Sequence, residues 1–157
     1  MDSGFRNTFY LNNKMQSIRL EFMLEGCESF DEFEKQFSDE FLADDNRAGT
    51  YLERLMLKYD KANATLSKEA GLATSYVGHI VNGKREPSRD ALIAICLAMR
   101  TSLEELQDLL KYAGHAPLYV RRKRDVIIWF GIMKRKSIIE IDIDLYDHGY
   151  KTFFKRE

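Results

Sequence analysis

The apolar residues of this chain recur at helical spacing over most of its length. Tyr51, Leu52, Leu55 and Tyr59 fall on one face of a helix. The same spacing and the polar residues that interrupt it predict further helices at about 63–70, 74–81, 89–99 and 102–112. Only two prolines and nine glycines interrupt the chain, which favours long helices over a β fold with many turns. The pattern therefore predicts an all-α protein.

The second half of the chain repeats itself with a period of 35 residues. Residues 88–120 align with residues 123–155 without a gap, and eight positions are identical. These positions are Arg89/Arg124, Asp90/Asp125, Ile93/Ile128, Arg100/Arg135, Ser102/Ser137, Glu105/Glu140, Leu110/Leu145 and Gly114/Gly149. A period of this length is typical of helix-pair units. We therefore expect a second helix pair at about 124–134 and 137–147.

Capping boxes begin the second helix of each unit. Ser102 and Ser137 are each followed three residues later by a glutamate, Glu105 or Glu140. At this spacing, the serine hydroxyl and the glutamate carboxylate each bond a free N–H at a helix start. Residues 138–145 alternate as a strand would, but their alignment with 103–110 decides for a helix.

The other ends of each unit also carry helix-boundary residues. Asp90 and Asp125 are expected to begin the first helices, where a carboxylate meets unpaired N–H groups and the positive end of the helix dipole. Gly114 and Gly149 are expected to end the second helices in the left-handed conformation. Each unit is thus predicted to be a helix, a short turn and a second helix.

The N-terminal third of the chain is acidic. Residues 1–49 carry 5 Lys/Arg and 11 Asp/Glu, whereas residues 50–157 carry 19 and 14. Ser29 and Glu32 have capping-box spacing and precede an amphipathic helix at about 29–42. Its phenylalanines are Phe30, Phe33, Phe37 and Phe41. This stripe either packs on the rest of the chain or provides a docking surface for another protein. Met23 is a second candidate for the first residue.

Several classes of protein are disfavoured by the cysteines and the hydropathy. Cys27 and Cys96 form no CxxC or Cys/His cluster, and Cys96 lies in an apolar run that predicts a buried, reduced thiol. No apolar run approaches the roughly 18 residues of a membrane span, and the N-terminus lacks signal-peptide features. Because no nucleophile–base pattern is present either, we expect a cytoplasmic protein that is not an enzyme and holds no metal or other cofactor.

A family pattern extends across residues 65–106, whose sequence is TLSKEAGLATSYVGHIVNGKREPSRDALIAICLAMRTSLEEL. Leu66 holds the leucine position of the first short helix, Gly71 the turn, and Leu72 the hydrophobic position after it. Residues 82–88, Asn-Gly-Lys-Arg-Glu-Pro-Ser, follow in register. Over about 51–112 the chain resembles the helix-turn-helix domain of the phage-repressor/Cro-like (Xre) family. The hairpin that follows resembles the C-terminal extension of certain bacterial Xre-like regulators.

The resemblance implies a lambda-repressor-like domain of five helices, in which the helix at about 74–82 lies in the DNA major groove. The implied DNA-binding residues are Asn63, Thr74, Ser75, Tyr76, His79, Asn82, Lys84 and Arg85. Of these, Ser75, Tyr76 and His79 would approach base edges or phosphates from the exposed side of the helix. Lys84, Arg85 and Asn63 would contact backbone phosphates. Val77, Ile80 and Val81 are expected on the buried side.

The organisation expected from these patterns is an acidic arm at 1–49, a DNA-binding domain at 50–120 and a helical hairpin at 121–157. The leading hypothesis is a transcriptional regulator of bacterial or phage origin that binds double-stranded DNA. The second is a protein-interaction module, an antitoxin or an inhibitor of a nuclease or defence complex. It would bind its partner with the helix-turn-helix scaffold and the acidic arm. The hairpin either extends the core or forms a homodimer. The basic run 121–124 is either a second phosphate contact or a solvated linker.

Overall fold

The structure is a computed structural model that describes residues 17–38 and 46–156. All regular elements within these ranges are helices, and this confirms the all-α prediction. The helices are α1 (residues 17–25), α2 (Phe30–Phe37), α3 (Arg47–Lys58), α4 (Asn63–Glu69), α5 (Tyr76–Val81), α6 (Arg89–Met99), α7 (Leu103–Tyr112), α8 (Lys123–Met133) and α9 (Ile138–Asp147). Two compact units result, one that holds α1 and α2 and one that holds α3–α9. None of these helices is long and apolar enough to cross a bilayer.

The unit that holds α1 and α2 carries the phenylalanine stripe. The Ser29 hydroxyl accepts a hydrogen bond from the N–H of Glu32, as its spacing predicts, but the Glu32 carboxylate bonds the N–H of Glu28 rather than that of Ser29. Phe33 and Phe37 are buried, and their ring centroids lie 4.8 Å apart. Phe30, however, is 66% exposed. Phe41 and the predicted end of this helix lie outside the described residues.

The hairpins α6–α7 and α8–α9 are equivalent, as the repeat predicts. Both capping boxes are complete, with hydroxyl and carboxylate each bonding the backbone N–H expected of them. Gly114 and Gly149 have φ angles of +77° and +79°, so the predicted left-handed helix ends are confirmed. Arg100 and Arg135, which are also equivalent, have φ of 58° and 57°. Arg100 is the C-cap of α6, and Arg135 follows Lys134, the C-cap of α8. Residues 138–145 are helical.

Asp90 and Asp125 lie at the starts of α6 and α8, as predicted, but neither is the N-cap residue. The N-cap of α6 is Ser88, whose hydroxyl accepts from the N–H of Ala91. The N-cap of α8 is Arg122, which makes no capping bond through its side chain. Both aspartates lie in the first helical turn, but their carboxylates bind arginines of the other hairpin. Each carboxylate binds an arginine rather than an N–H at its own helix start, because a guanidinium offers it two charged donors at once.

Two reciprocal ion pairs join the hairpins. Arg89 binds Asp125 through two hydrogen bonds of 3.2 and 2.9 Å, and Arg124 binds Asp90 through two of 2.8 and 3.1 Å. The arginine of each hairpin thus holds the aspartate of the other. The Asp125 side chain is only 3% exposed and also accepts the N–H of Tyr119. We refer to these contacts as the reciprocal Arg–Asp pairs.

Backbone contacts around these pairs follow the same symmetry. The Nε of Arg89 donates to the carbonyl of Ala116, and the Nε of Arg124 donates to that of Lys151, 35 residues further on. Likewise, Gln107 accepts the N–H of Leu118 at 2.7 Å, and its equivalent Asp142 accepts that of Phe153 at 2.6 Å. These contacts recur within each hairpin, whereas the reciprocal Arg–Asp pairs cross between the hairpins as in a two-fold, isologous interface.

A single hydrophobic core runs through α3–α9. Helix α6 lies at its centre, and Leu92, Ile93 and Ile95 are fully buried. Ile128, Ile141 and Leu145 of the second hairpin belong to the same cluster. The hairpin α8–α9 therefore extends the core. Cys96 is buried as predicted, and burial raises the pKa of its thiol to about 12, which makes the thiolate scarce and the side chain unreactive.

Outside the hairpins, α3 is fastened to α7 by the carboxylate of the first capping box. Glu105 accepts hydrogen bonds from Lys58, at 2.8 Å, and from the Tyr59 hydroxyl. Burial opposes ionisation of Glu105, but the bonds from Lys58, Tyr59 and the Ser102 N–H outweigh it and lower the pKa of the carboxyl. One side chain thus ends the α6–α7 turn and positions the helix that supports α5.

Replacing Asp125 by alanine should destabilise the fold by roughly 3 kcal/mol. The change leaves a partly buried Arg89 guanidinium without its counter-ion and the Tyr119 N–H without an acceptor. Lys151→Ala is the matched control, because the Lys151 side chain is 80% exposed and its ammonium lies as far as 3.7 Å from the Asp90 carboxylate. Its loss should lower the free energy of unfolding by less than about 0.5 kcal/mol. Urea unfolding measures both free energies. Equal values for the two variants would contradict a structural role for the reciprocal Arg–Asp pairs.

Candidate nucleic-acid interface

Helices α4 and α5 are joined by a tight turn at Gly71. The N–H of Gly71 bonds the carbonyl of Lys68, and the N–H of Leu72 bonds that of Ser67, so the turn closes the end of α4. Gly71 has φ +74°, a conformation that side chains other than glycine rarely adopt. This geometry sends the chain directly into α5, a helix of six residues.

A buried serine fixes the angle between these two helices. Ser67 is fully buried, and its hydroxyl donates to the carbonyl of Asn63 at 2.8 Å. The same oxygen accepts the N–H of Val77, one of the unpaired donors at the start of α5, at 3.0 Å. Because a buried donor without a partner is costly, this one hydroxyl defines where α5 begins relative to α4.

The other end of α5 is held by the start of α3. The amide of Asn46 donates to the carbonyl of Val81 at 2.8 Å. Gly49 lies so close to α5 that a Cβ there would overlap the carbonyl oxygen of Ile80. Below them, Val77 and Ile80 are fully buried, as predicted, and Val81 is half-buried. Both ends of α5 and its apolar side are therefore fixed by the body of the domain.

The opposite side of α5 is polar and exposed. Thr74, Ser75, His79 and Asn82 are exposed, as predicted. Asn63, at the start of α4, is brought next to this side, since its amide nitrogen lies 3.5 Å from the position of a Cβ on Gly78. Five of the eight predicted residues thus lie on or beside one face.

Tyr76 is the exception, because the prediction that it lies on the exposed side is wrong. Its side chain is 7% exposed and belongs to the core. The hydroxyl accepts the N–H of Ser88, the residue that begins α6, at 3.3 Å. The guanidinium of Arg85 lies over the ring, 4.4 Å from its centroid. A tyrosine suits this position, because its apolar ring can be buried while its hydroxyl makes a hydrogen bond.

The loop after α5 carries two exposed cations, and its far end is held by hydrogen bonds. The Tyr76 hydroxyl holds Ser88, and Nε2 of His115 is 2.8 Å from the carbonyl of Pro87. Lys84 and Arg85 are both exposed. Stacking on Tyr76 restricts the Arg85 side chain, which lowers the entropy that it loses on binding an anion.

The C-terminal tail lies against the same elements. Phe154 packs on the α4–α5 turn, where a Cβ on Gly71 would be 2.7 Å from its ring. Lys151 and Phe153 face Tyr76 and Arg85 across an open groove of about 440 Å³. The sequence pattern did not indicate this contact, which links α8–α9 to the turn.

One residue of the basic run 121–124 takes part in packing, and the other three are exposed. Arg124 belongs to the reciprocal Arg–Asp pairs and lies over the Phe153 ring, 5.3 Å from its centroid. Arg121, Arg122 and Lys123 are exposed. Within residues 17–38 and 46–156, no group of three or more His, Cys, Asp or Glu side chains is placed to hold a metal ion.

Residues 52–106 match the family model described as Helix-turn-helix. The matched segment runs from α3 to the first turn of α7 and contains α4, the Gly71 turn and α5. This match supports a DNA-binding regulator of the helix-turn-helix type. It does not include α8 and α9. No curated protein and no solved structure matches the chain.

Sequence reasoning identified the exposed residues of the helix-turn-helix segment but missed the residues that hold it. Ser67, Asn46 and Gly49 were not predicted to have a role. Of these three, Ser67 could have been recognised from the sequence, since it is a polar residue next to Leu66 on the side of α4 that faces the core. Asn46 and Gly49 left none, because their roles depend on the position of α5, which lies about thirty residues away in sequence.

Two glycine substitutions test how closely α5 is held. Gly49→Ala should lower the melting temperature strongly, because the new methyl would overlap the backbone of Ile80. Gly78→Ala should leave stability unchanged or raise it by up to about 1 kcal/mol, since the methyl would meet only Asn63 at an ordinary distance and alanine favours a helix. Thermal unfolding followed by circular dichroism compares them. A Gly49→Ala protein as stable as the parent would contradict the close contact of α3 with α5.

Proposed function

We propose that the protein is a transcriptional regulator that binds double-stranded DNA with α5 in the major groove. The observation that carries this proposal is a set of exposed side chains with no internal use. Among the described residues, no hydrogen bond or ion pair engages the side chains of Thr74, Ser75, His79, Asn82 or Lys84. The backbone beneath them is fixed at both ends. Rigid backbone with free donors and acceptors is suited to base-edge recognition.

Backbone phosphates would be bound at the margins of this face. Lys84 and Arg85 follow the end of α5 and carry the positive charge nearest to it in sequence. Asn63 lies beside Gly78 at the start of α4, where backbone N–H groups and the helix dipole favour an anion. These contacts fix the orientation of α5 and are the same for every DNA sequence.

Sequence preference would come from the middle of the face. His79 and Ser75 can both donate and accept hydrogen bonds, and their side chains lie on the exposed side of α5. Tyr76 has a supporting role in this proposal. Its ring positions Arg85 and its hydroxyl holds the start of α6, so it acts on DNA through other residues.

Lys84 and Arg85 provide the first test. Replacing both by alanine should weaken binding to every duplex about equally and reduce the slope of log affinity against log salt by roughly 0.9 for each phosphate that the variant no longer neutralises. The control is Arg54→Ala with Lys111→Ala, which removes the same charge from exposed sites on α3 and α7. Fluorescence anisotropy with a genomic fragment selected by pull-down measures both. If the Lys84/Arg85 variant binds as the parent does at every salt concentration, the proposal is wrong.

His79 provides a second test, which distinguishes base contacts from phosphate contacts. His79→Ala should lower affinity for the selected fragment by roughly 1–3 kcal/mol, with the effect confined to one or two base-pair positions. The salt slope should stay nearly unchanged. Anisotropy with single-position variants of the fragment locates the effect. A uniform decrease over all duplexes would assign His79 to the DNA backbone instead, and an unchanged affinity would remove it from the interface.

A further inference from the structure

The second hairpin has an outward face that is apolar. Along α8, Val126, Phe130 and Met133 are 38%, 51% and 63% exposed. Along α9, Ile139 and Ile143 are 63% and 43% exposed. On each helix these residues are spaced three or four apart, so they form one stripe per helix. We refer to these five residues as the outer face of α8–α9.

The repeat shows what this face corresponds to. In the first hairpin, Ala91 and Ile95 of α6 are buried, whereas their equivalents Val126 and Phe130 are exposed. The difference arises because α3–α5 pack on the first hairpin. Within the unit that holds α3–α9, helices α3–α5 do not pack on the second hairpin in the equivalent way.

The comparison with the first hairpin also indicates that the stripes of α8 and α9 form one surface. Helix α3 packs along α7 through Glu105, and Tyr51 lies close enough to Asp108 that the carboxylate helps burial to raise the pKa of the tyrosine. Asp108 is the equivalent of Ile143. Since one group of helices covers both α6 and α7, the equivalent parts of α8 and α9 must be contiguous too.

Charges at the margins of the outer face have opposite signs on its two helices. The exposed charges of α8 and its C-cap are Lys123 and Lys134, since Asp125 is buried. Helix α9 contains no Lys or Arg, and its exposed charges are Glu140 and Asp147. A uniformly acidic partner would be repelled by α9 and a uniformly basic one by α8. A surface with this pattern is complementary to itself when α8 meets α9 of a second copy.

The outer face of α8–α9 is also large for an exposed apolar patch. Its five side chains expose an apolar area on the order of 450 Å², within the range of the largest patch on a monomer. An apolar patch of this area is often a site of contact with another protein.

We propose that the outer face of α8–α9 binds the same face of a second copy of this chain about a two-fold axis. The apolar stripes form the centre of the interface, and the basic margin of α8 meets the acidic margin of α9 from the other copy. This proposal concerns a surface remote in sequence from α5 and does not depend on DNA binding.

Sedimentation of the full chain, from low to high micromolar concentration, tests the proposal. The parent should have twice the monomer mass, and Phe130→Glu and Ile143→Glu should each raise the dimer dissociation constant by roughly tenfold or more. Leu57→Glu is the matched control, because Leu57 is 80% exposed on α3 and should leave the dimer intact. Since all three sites are exposed, circular dichroism should show a parent-like fold.

Charge reversal tests the orientation of the two copies. Lys134→Glu and Asp147→Lys should each weaken the dimer, and the double variant should recover affinity because positions 134 and 147 of the two copies again carry opposite charges. Glu140 is left unchanged, since it completes a capping box. A parent that stays monomeric at every concentration overturns the proposal, and so does a dimer that neither Phe130→Glu nor Ile143→Glu weakens. A double charge variant weaker than both single ones overturns the pairing of α8 with α9.

Discussion

The arrangement of this molecule depends on the reciprocal Arg–Asp pairs between the hairpins α6–α7 and α8–α9. Arg89 and Asp90 are the first residues of α6, directly after the loop that carries Lys84 and Arg85. By binding Asp125, Arg89 fixes the start of α6 to the second hairpin. By binding Asp90 and the carbonyl of Lys151, Arg124 directs the C-terminal tail toward the Gly71 turn. The pairs therefore hold the second hairpin against the start of α6, and the tail of that hairpin contacts the turn before α5.

Helix α5 divides its side chains between support and contact. A helix of six residues is too short to be stable alone, so its position must come from its neighbours. Val77 and Ile80 supply the apolar contacts, while Ser67 and Asn46 satisfy one backbone group at each end. The polar side chains on its other side make no hydrogen bond within the described part of the chain. This division explains how a short helix can present polar side chains in a fixed geometry.

The parts of the fold that could be predicted from the sequence are those that depend on neighbours in the chain. Ser102 and Glu105 form their capping box within four residues, and Gly114 ends α7 by its own backbone freedom. The position of Asp90 at the start of α6 followed in the same way, but the partner of its carboxylate did not, since Arg124 lies 34 residues away. The repeat held the missing information, because a charged Arg-Asp pair present in both units can be satisfied crosswise.

The candidate site shows the same limit. The exposure of Ser75, His79 and Asn82 followed from helical spacing, which separates two sides of even a short helix. Tyr76 did not follow, because a tyrosine has both an apolar ring and a polar hydroxyl and suits either side. Its place was decided by Ser88 and Arg85, which approach from the loop after α5. The supporting residues Asn46 and Gly49 act across still longer separations.

Backbone amide NMR during titration with a selected DNA duplex tests most directly whether the exposed side of α5 is the DNA-binding surface. We expect the amides of residues 74–85 and of Asn63 to shift most. The chemical shifts of the amides near Phe130 and Ile143, on the outer face of α8–α9, should not change. Shifts centred on α8–α9 with α5 unaffected would contradict this assignment. So would the absence of shifts with DNA together with shifts at residues 74–85 on adding a protein partner.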